Sequence, residues 1–147
     1  MRRVRWVPDA AVRAIHAELI AEHGGREGLR DAGLLSSALA RPRNKRAYGV
    51  SSSIFELAAA YGVAIVRNHP FVDGNKRVAL AVMYVFLEMN GYRLEAPEID
   101  AVETMIGLAA RKWDEKELSA WLKKNSVRWP IKPDRNHRRH FEKVGVS

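Results

Sequence analysis

The chain has 147 residues, 47% of them hydrophobic, which suits one folded domain with a real core and excludes a disordered polymer. It contains no cysteine, so disulfides, thiolate metal sites and thiol nucleophiles are all excluded. Twenty-five Lys and Arg against seventeen Asp and Glu give a formal charge of +8, a surface that favours anionic partners: nucleotides, nucleic acid or an acidic protein.

Helix signals dominate, and the expected fold is all-α: a compact bundle of about six helices around a buried central hairpin. Asp9 is placed to cap a first helix running to about His23, with Val12, Ile15, Leu19 and Ile20 on one face. Gly24-Gly25 supplies its stop. A second, shorter helix is expected over 31–40, ending before Pro42. Residues 41–50 then read as a basic loop.

Ser51 to Ser53 offer caps for a third helix reaching about Arg67, with almost no polar face. A fourth helix, about 75–90, is apolar nearly all round and stops at Gly91. Helices without a wet face belong in the middle of a domain. The third and fourth are therefore expected to form the central hairpin, with the loop 68–74 held at both ends. Two amphipathic helices follow, near 97–110 and 114–124.

One domain is expected over 1–125, followed by a loosely ordered basic extension over 126–147 that carries half of the net charge. The longest apolar run, Val78 to Leu87, is too short to cross a bilayer. With no apolar leader at the N-terminus and no cysteine, the expectation is a soluble, cytoplasmic protein without membrane contact.

The loop His69-Pro-Phe-Val-Asp-Gly-Asn-Lys-Arg77 gathers residues suited to one chemistry. Pro70 disfavours the helical conformation at His69, which ends the third helix with an imidazole at its tip. Phe71, a large apolar group in a polar loop, is read as an anchor into the core. Asp73 is a hard oxygen ligand suited to Mg²⁺. Gly74 permits a positive φ. Asn75 is placed to cap the fourth helix, whose first N–H groups then form an anion cradle beside Lys76 and Arg77. A base, a metal ligand and a phosphate seat are what moving a phosphoryl group onto a hydroxyl requires. Each residue alone has a bland role, as turn former, cap or solvated charge; their conjunction between two buried helices favours function.

This loop resembles the signature of the Fic superfamily, His-x-Phe-x-(Asp/Glu)-Gly-Asn-Gly-Arg-x-x-Arg. It departs at Lys76, where Gly is usual, and at Leu80, where a second Arg is usual. Both departures match the Doc branch. Gly24-Gly25, the segment Gly28-Leu-Arg-Asp31 and Leu34 to Pro42 also resemble the N-terminal part of Doc proteins, so the resemblance spans about residues 10–124.

The resemblance implies a toxin that uses ATP and Mg²⁺ to transfer the γ-phosphate to a threonine of a translation factor such as elongation factor Tu. It implies His69 as general base, Asp73 at the metal or orienting the nucleotide, Gly74, Asn75, Lys76 and Arg77 at the phosphates, and Phe71 as loop anchor. A free histidine titrates near pH 6.5, so a proton-accepting form is available at neutral pH. His16 is placed near the site by the same likeness.

The family also implies a cognate antitoxin acting in trans, since the inhibitory (Ser/Thr)-x-x-x-Glu-(Gly/Asn) segment of many Fic enzymes is broken here. Ser52 to Glu56 begin like it, and Leu57 does not fit. Arg43, Lys45, Arg46 and Tyr48 of the basic loop stand where Fic proteins dock a target segment. The alternatives are transfer of AMP, as by Fic enzymes with Gly at the position of Lys76, an inactive relative that only binds partners, and a basic nucleic-acid-binding module. No recognisable nucleic-acid motif supports the last.

Overall fold

A computed structural model describes residues 3–49 and 52–130. The element order is α1 (Asp9–His23), α2 (Ala32–Tyr48), α3 (Ile54–Asn68), α4 (Asn75–Met89), β1 (Tyr92–Leu94), α5 (Glu98–Ala109), α6 (Glu115–Lys124) and β2 (Ser126–Arg128). The fold is all-α as expected, with six helices among the described residues and one short antiparallel ribbon, β1 on β2. No helix among the described residues is long and apolar enough to cross a membrane.

The expected central hairpin is present. Ten residues of α3 and eleven of α4 are buried, and the two helices pack on each other. Helix α3 also meets α2 and α6, while α4 meets α1, α5 and the ribbon. Small residues such as Ala58, Ala59, Ala60 and Ala64 line α3, and larger ones such as Met83, Phe86 and Leu87 fill α4. Burying a side chain of that size contributes about 1.5–3 kcal/mol, so this hairpin is the main source of stability. Trp6 lies against Tyr61 and Phe86, and the Val7 N–H donates to the Tyr61 hydroxyl at 3.1 Å, which pins the N-terminal segment across both central helices.

The start of α3 is set by Ser53, whose hydroxyl accepts from the Glu56 N–H while the Glu56 carboxylate accepts from the Ser53 N–H. Asp114 and Glu117 make the same reciprocal cap on α6. This arrangement satisfies two otherwise unpaired donors at each helix start.

Three expectations need correction. Helix α2 does not stop before Pro42 but continues through it to Tyr48, so 41–48 is no extended basic loop. The physical reason is tertiary: Arg41 and Lys45, one turn apart, both pair with Glu115 at the head of α6, Lys45 at 2.9 Å. Arg43 meanwhile lies over the Trp6 ring at 5.5 Å, so Arg41, Arg43 and Lys45 all have partners within the fold. Second, Pro8 and not Asp9 caps α1; Asp9 is the first helical residue and pairs with Arg13 at 2.5 Å. Third, Ser126–Arg128, expected in the loose extension, pair with β1. The rest of that extension, from residue 131 onward, lies outside the described residues.

Neutralising Glu115 tests the cause of the α2 extension. In Glu115→Gln, amide exchange over 43–48 is expected to accelerate, while global stability falls by less than about 1 kcal/mol, as for other partly exposed ion pairs. Hydrogen exchange followed by mass spectrometry checks both; unchanged protection over 43–48 would show that the ion pairs do not hold this segment.

Candidate active site

Helix α3 ends at His69, which takes the left-handed conformation with φ 51° and ψ 55°. A non-glycine residue is uncommon there, and Pro70 accounts for part of it by disfavouring the right-handed helical region at the preceding residue. His69 is exposed, and its imidazole has no hydrogen-bond partner among the described residues.

Six residues on, α4 begins at Asn75 without a side-chain cap. The expected capping role of Asn75 is therefore corrected. Its side chain is buried and closes a ring on the loop instead: Oδ1 accepts from the Phe71 N–H at 3.0 Å and Nδ2 donates to the Phe71 carbonyl at 2.9 Å. The cap position belongs to Gly74, in the left-handed region at φ 78°. A Cβ there would be strained and would crowd Ile20 at 3.3 Å, so the glycine is required by both conformation and space.

The consequence is an open helix head. The first intrahelical bond at this end runs from the Val78 N–H to the Gly74 carbonyl. Among the described residues the N–H groups of Asn75, Lys76 and Arg77 are left without acceptors, at the positive end of the helix dipole. Lys76 is exposed and makes no ion pair among the described residues. Leu80, where the family signature has a second Arg, is buried in the core and contributes nothing to this charge.

Phe71 is buried as expected, and its ring stacks on His16 with centroids 3.9 Å apart and planes 9° from parallel. His16, itself buried, places Nε2 2.8 Å from the Asp73 carbonyl, which can only accept, so Nε2 carries the hydrogen. The loop thus rests on α1 through one stacking contact and one hydrogen bond.

Residues 25–31 strap the loop from the other side. The Val72 N–H donates to the Gly28 carbonyl, and the N–H groups of Arg30 and Asp31 both donate to the Pro70 carbonyl, at 2.7 and 3.1 Å. Leu29 and Phe71 form an antiparallel bridge. The Arg30 side chain donates from Nε to the His69 carbonyl at 2.7 Å and from Nη2 to the Asn68 carbonyl at 2.9 Å. In sequence, Gly28 to Asp31 show only a family likeness, and Arg30 has no evident task. Nothing local signals it, because its partners lie about forty residues away.

Asp73 is exposed and accepts two backbone donors, Arg26 N–H on Oδ2 at 3.0 Å and Gly74 N–H on Oδ1 at 2.9 Å. The bond from the Arg26 N–H, then that from Gly74, with smaller help from the Arg77 and Arg26 charges, hold its carboxyl below the ordinary value of 3.8. Gly25 is needed for this approach, since a Cβ on it would lie 2.9 Å from Oδ2. Asp73 therefore keeps a full negative charge and spare lone pairs toward solvent. No cluster of three or more His, Cys, Asp or Glu side chains stands anywhere among the described residues. With one carboxylate, the loop could hold only a Mg²⁺ that completed its shell with phosphate oxygens and water, not one in an all-protein cage.

Because the Asp73 carboxyl is depressed in the folded chain, the tether it makes stabilises fully above the ordinary carboxylate value and weakens as pH falls through its lower folded value. The difference in melting temperature between wild type and Asp73→Ala is expected to be constant from neutral pH to about pH 5 and to shrink below about pH 4. Thermal melts across that range check it; a difference that grows toward acid would contradict the assignment.

Residues 6–87 match the family model described as Fic/DOC family, which is more than half of the chain. A protein named Toxin Doc from Mycolicibacterium smegmatis is 40% identical over 103 residues, covering 67% of this chain and 78% of that protein. A protein named Protein kinase doc from Escherichia phage P1 is 34% identical over 97 residues, covering 65% of this chain and 77% of that protein. The matched stretch holds α1 to α3 and all but the last two residues of α4, with the strap and the loop between them, and on these matches the chain belongs to the Fic/DOC family.

Proposed function

We propose that this protein is the toxin of a toxin–antitoxin pair, a protein kinase that transfers the γ-phosphate of ATP to a hydroxyl of a translation factor. The observation that carries the proposal is the uncapped head of α4, with three N–H groups free among the described residues, beside Lys76 and Arg77, and an exposed His69 six residues before it. The name Protein kinase doc on one relative favours phosphoryl transfer over AMP transfer, and Lys76 in place of the usual glycine agrees with it.

In this scheme the amides of Asn75, Lys76 and Arg77 bind phosphate oxygens, and the Lys76 and Arg77 side chains offset their charge. His69 accepts the proton of the acceptor hydroxyl as its oxygen bonds to the γ-phosphorus. The bond from that phosphorus to the bridging oxygen breaks, and ADP leaves. Mg²⁺ held at Asp73 would neutralise phosphate charge. Asn75 acts on substrate through its backbone alone, since its side chain is engaged with Phe71.

The acceptor is proposed to be a threonine of elongation factor Tu, in the cytoplasm. Inhibition is proposed to come from a separate antitoxin. Glu56, the glutamate of the broken inhibitory pattern, is engaged in the cap of α3, at the opposite end of that helix from His69.

With purified elongation factor Tu, label is expected to reach protein from the γ-phosphate of ATP and not from the α-phosphate. Label arriving from the α position would replace the kinase assignment with AMP transfer. His69→Ala is expected to lower transfer by roughly 10²- to 10⁴-fold, the usual contribution of a general base, or about 3–5 kcal/mol in the barrier. Wild-type turnover in that variant would remove His69 from the chemistry.

A further inference from the structure

We infer that Arg30 is a positioning residue for His69, fixing the backbone conformation from which the imidazole projects. The inference rests on the proposed role of His69 as base. A helix end leaves its last carbonyls unpaired, and at the end of α3 two successive ones, on Asn68 and His69, are both taken by a single guanidinium. Bridging two neighbouring carbonyls from one rigid group restricts the peptide between them, and that peptide leads into the left-handed φ of His69.

The guanidinium is itself mounted firmly. The Arg30 N–H donates to the Pro70 carbonyl, Leu29 bridges Phe71, and the Asp31 carboxylate caps α2 by accepting from the Leu34 N–H. Arg30 thus holds the residues on both sides of the His69 α-carbon: Asn68 and His69 by its side chain, Pro70 by its main chain. It is exposed, yet no carboxylate pairs with it among the described residues. Its two side-chain bonds are both to main-chain carbonyls, which is a conformational task and not a surface ion pair.

A plain stabilising cap and a positioning residue differ in what their loss does. Loss of a cap lowers the melting temperature and leaves turnover of the folded fraction intact. Loss of positioning lowers kcat while ATP binding survives, because the phosphate seat is on α4 and not on the peptide that Arg30 holds.

The test compares wild type, Arg30→Ala, Arg30→Lys and His69→Ala in γ-phosphate transfer to the acceptor, with the ¹³Cα shift of His69 as a readout that needs no turnover. Lysine keeps the charge and donors but lacks the rigid planar fork that holds two carbonyls in one fixed geometry. The expected kcat falls by roughly 10- to 100-fold in Arg30→Ala and less in Arg30→Lys, with KM for ATP within about threefold. Methylguanidinium is expected to restore part of the loss in Arg30→Ala, and the His69 shift to move away from its left-handed value. Wild-type kcat in either folded variant, a loss confined to KM, or an unmoved His69 shift overturns the inference. Should Arg30→Ala not fold, Arg30→Lys decides by the same criteria. Full activity in His69→Ala would instead defeat the base assignment, a separate failure that the shift measurement does not share.

Discussion

Everything at this site depends on the close packing of two helices that have no solvated face. Helix α3 and helix α4 can only exist together in the middle of the bundle, with their joined ends fixed by what surrounds them. A loop between such helices cannot drift, because both of its stems are set in the core. The residues from His69 to Gly74 inherit this fixity, and the contacts from α1 and from residues 25–31 refine it.

A division of labour among polar groups follows. The Phe71 peptide is satisfied by Asn75, the Pro70 carbonyl by two N–H groups, and the Asp73 carboxylate by two more. Satisfying these groups locks the loop and leaves the Phe71 peptide and the Pro70 carbonyl little to offer a ligand. What stays open among the described residues is the head of α4, together with the Lys76 side chain, the His69 imidazole and the solvent-facing lone pairs of Asp73. Hydrogen-bond capacity left unfilled in an otherwise satisfied loop marks where a ligand would be received.

The parts legible in the sequence were those governed by local pattern. Periodicity and all-round apolarity revealed α3 and α4, and the run Ser51 to Ser53 announced the start of α3. Pro42 misled because a proline usually ends a helix, whereas here the cations on either side of it, Arg41 and Lys45, are drawn to Glu115 from a distant part of the chain. Asn75 misled for a related reason: its type suits a cap, but a buried amide facing the Phe71 peptide finds two better partners there. The ribbon of β1 and β2 was missed because three-residue strands carry too little alternation to register. Arg30 is silent in sequence since its partners belong to another helix end.

The strap and the loop it holds are separated by the whole of α2 and α3, so their union is a contact of high sequence separation. Closing so long a segment carries an entropic cost, and contacts of this kind slow the folding of a chain. A chain that has made its individual helices but not yet docked them has no completed loop. Competence at this site is therefore a property of the finished fold: a partly folded molecule, whether newly made or transiently opened, carries the signature residues without the arrangement that makes them act together.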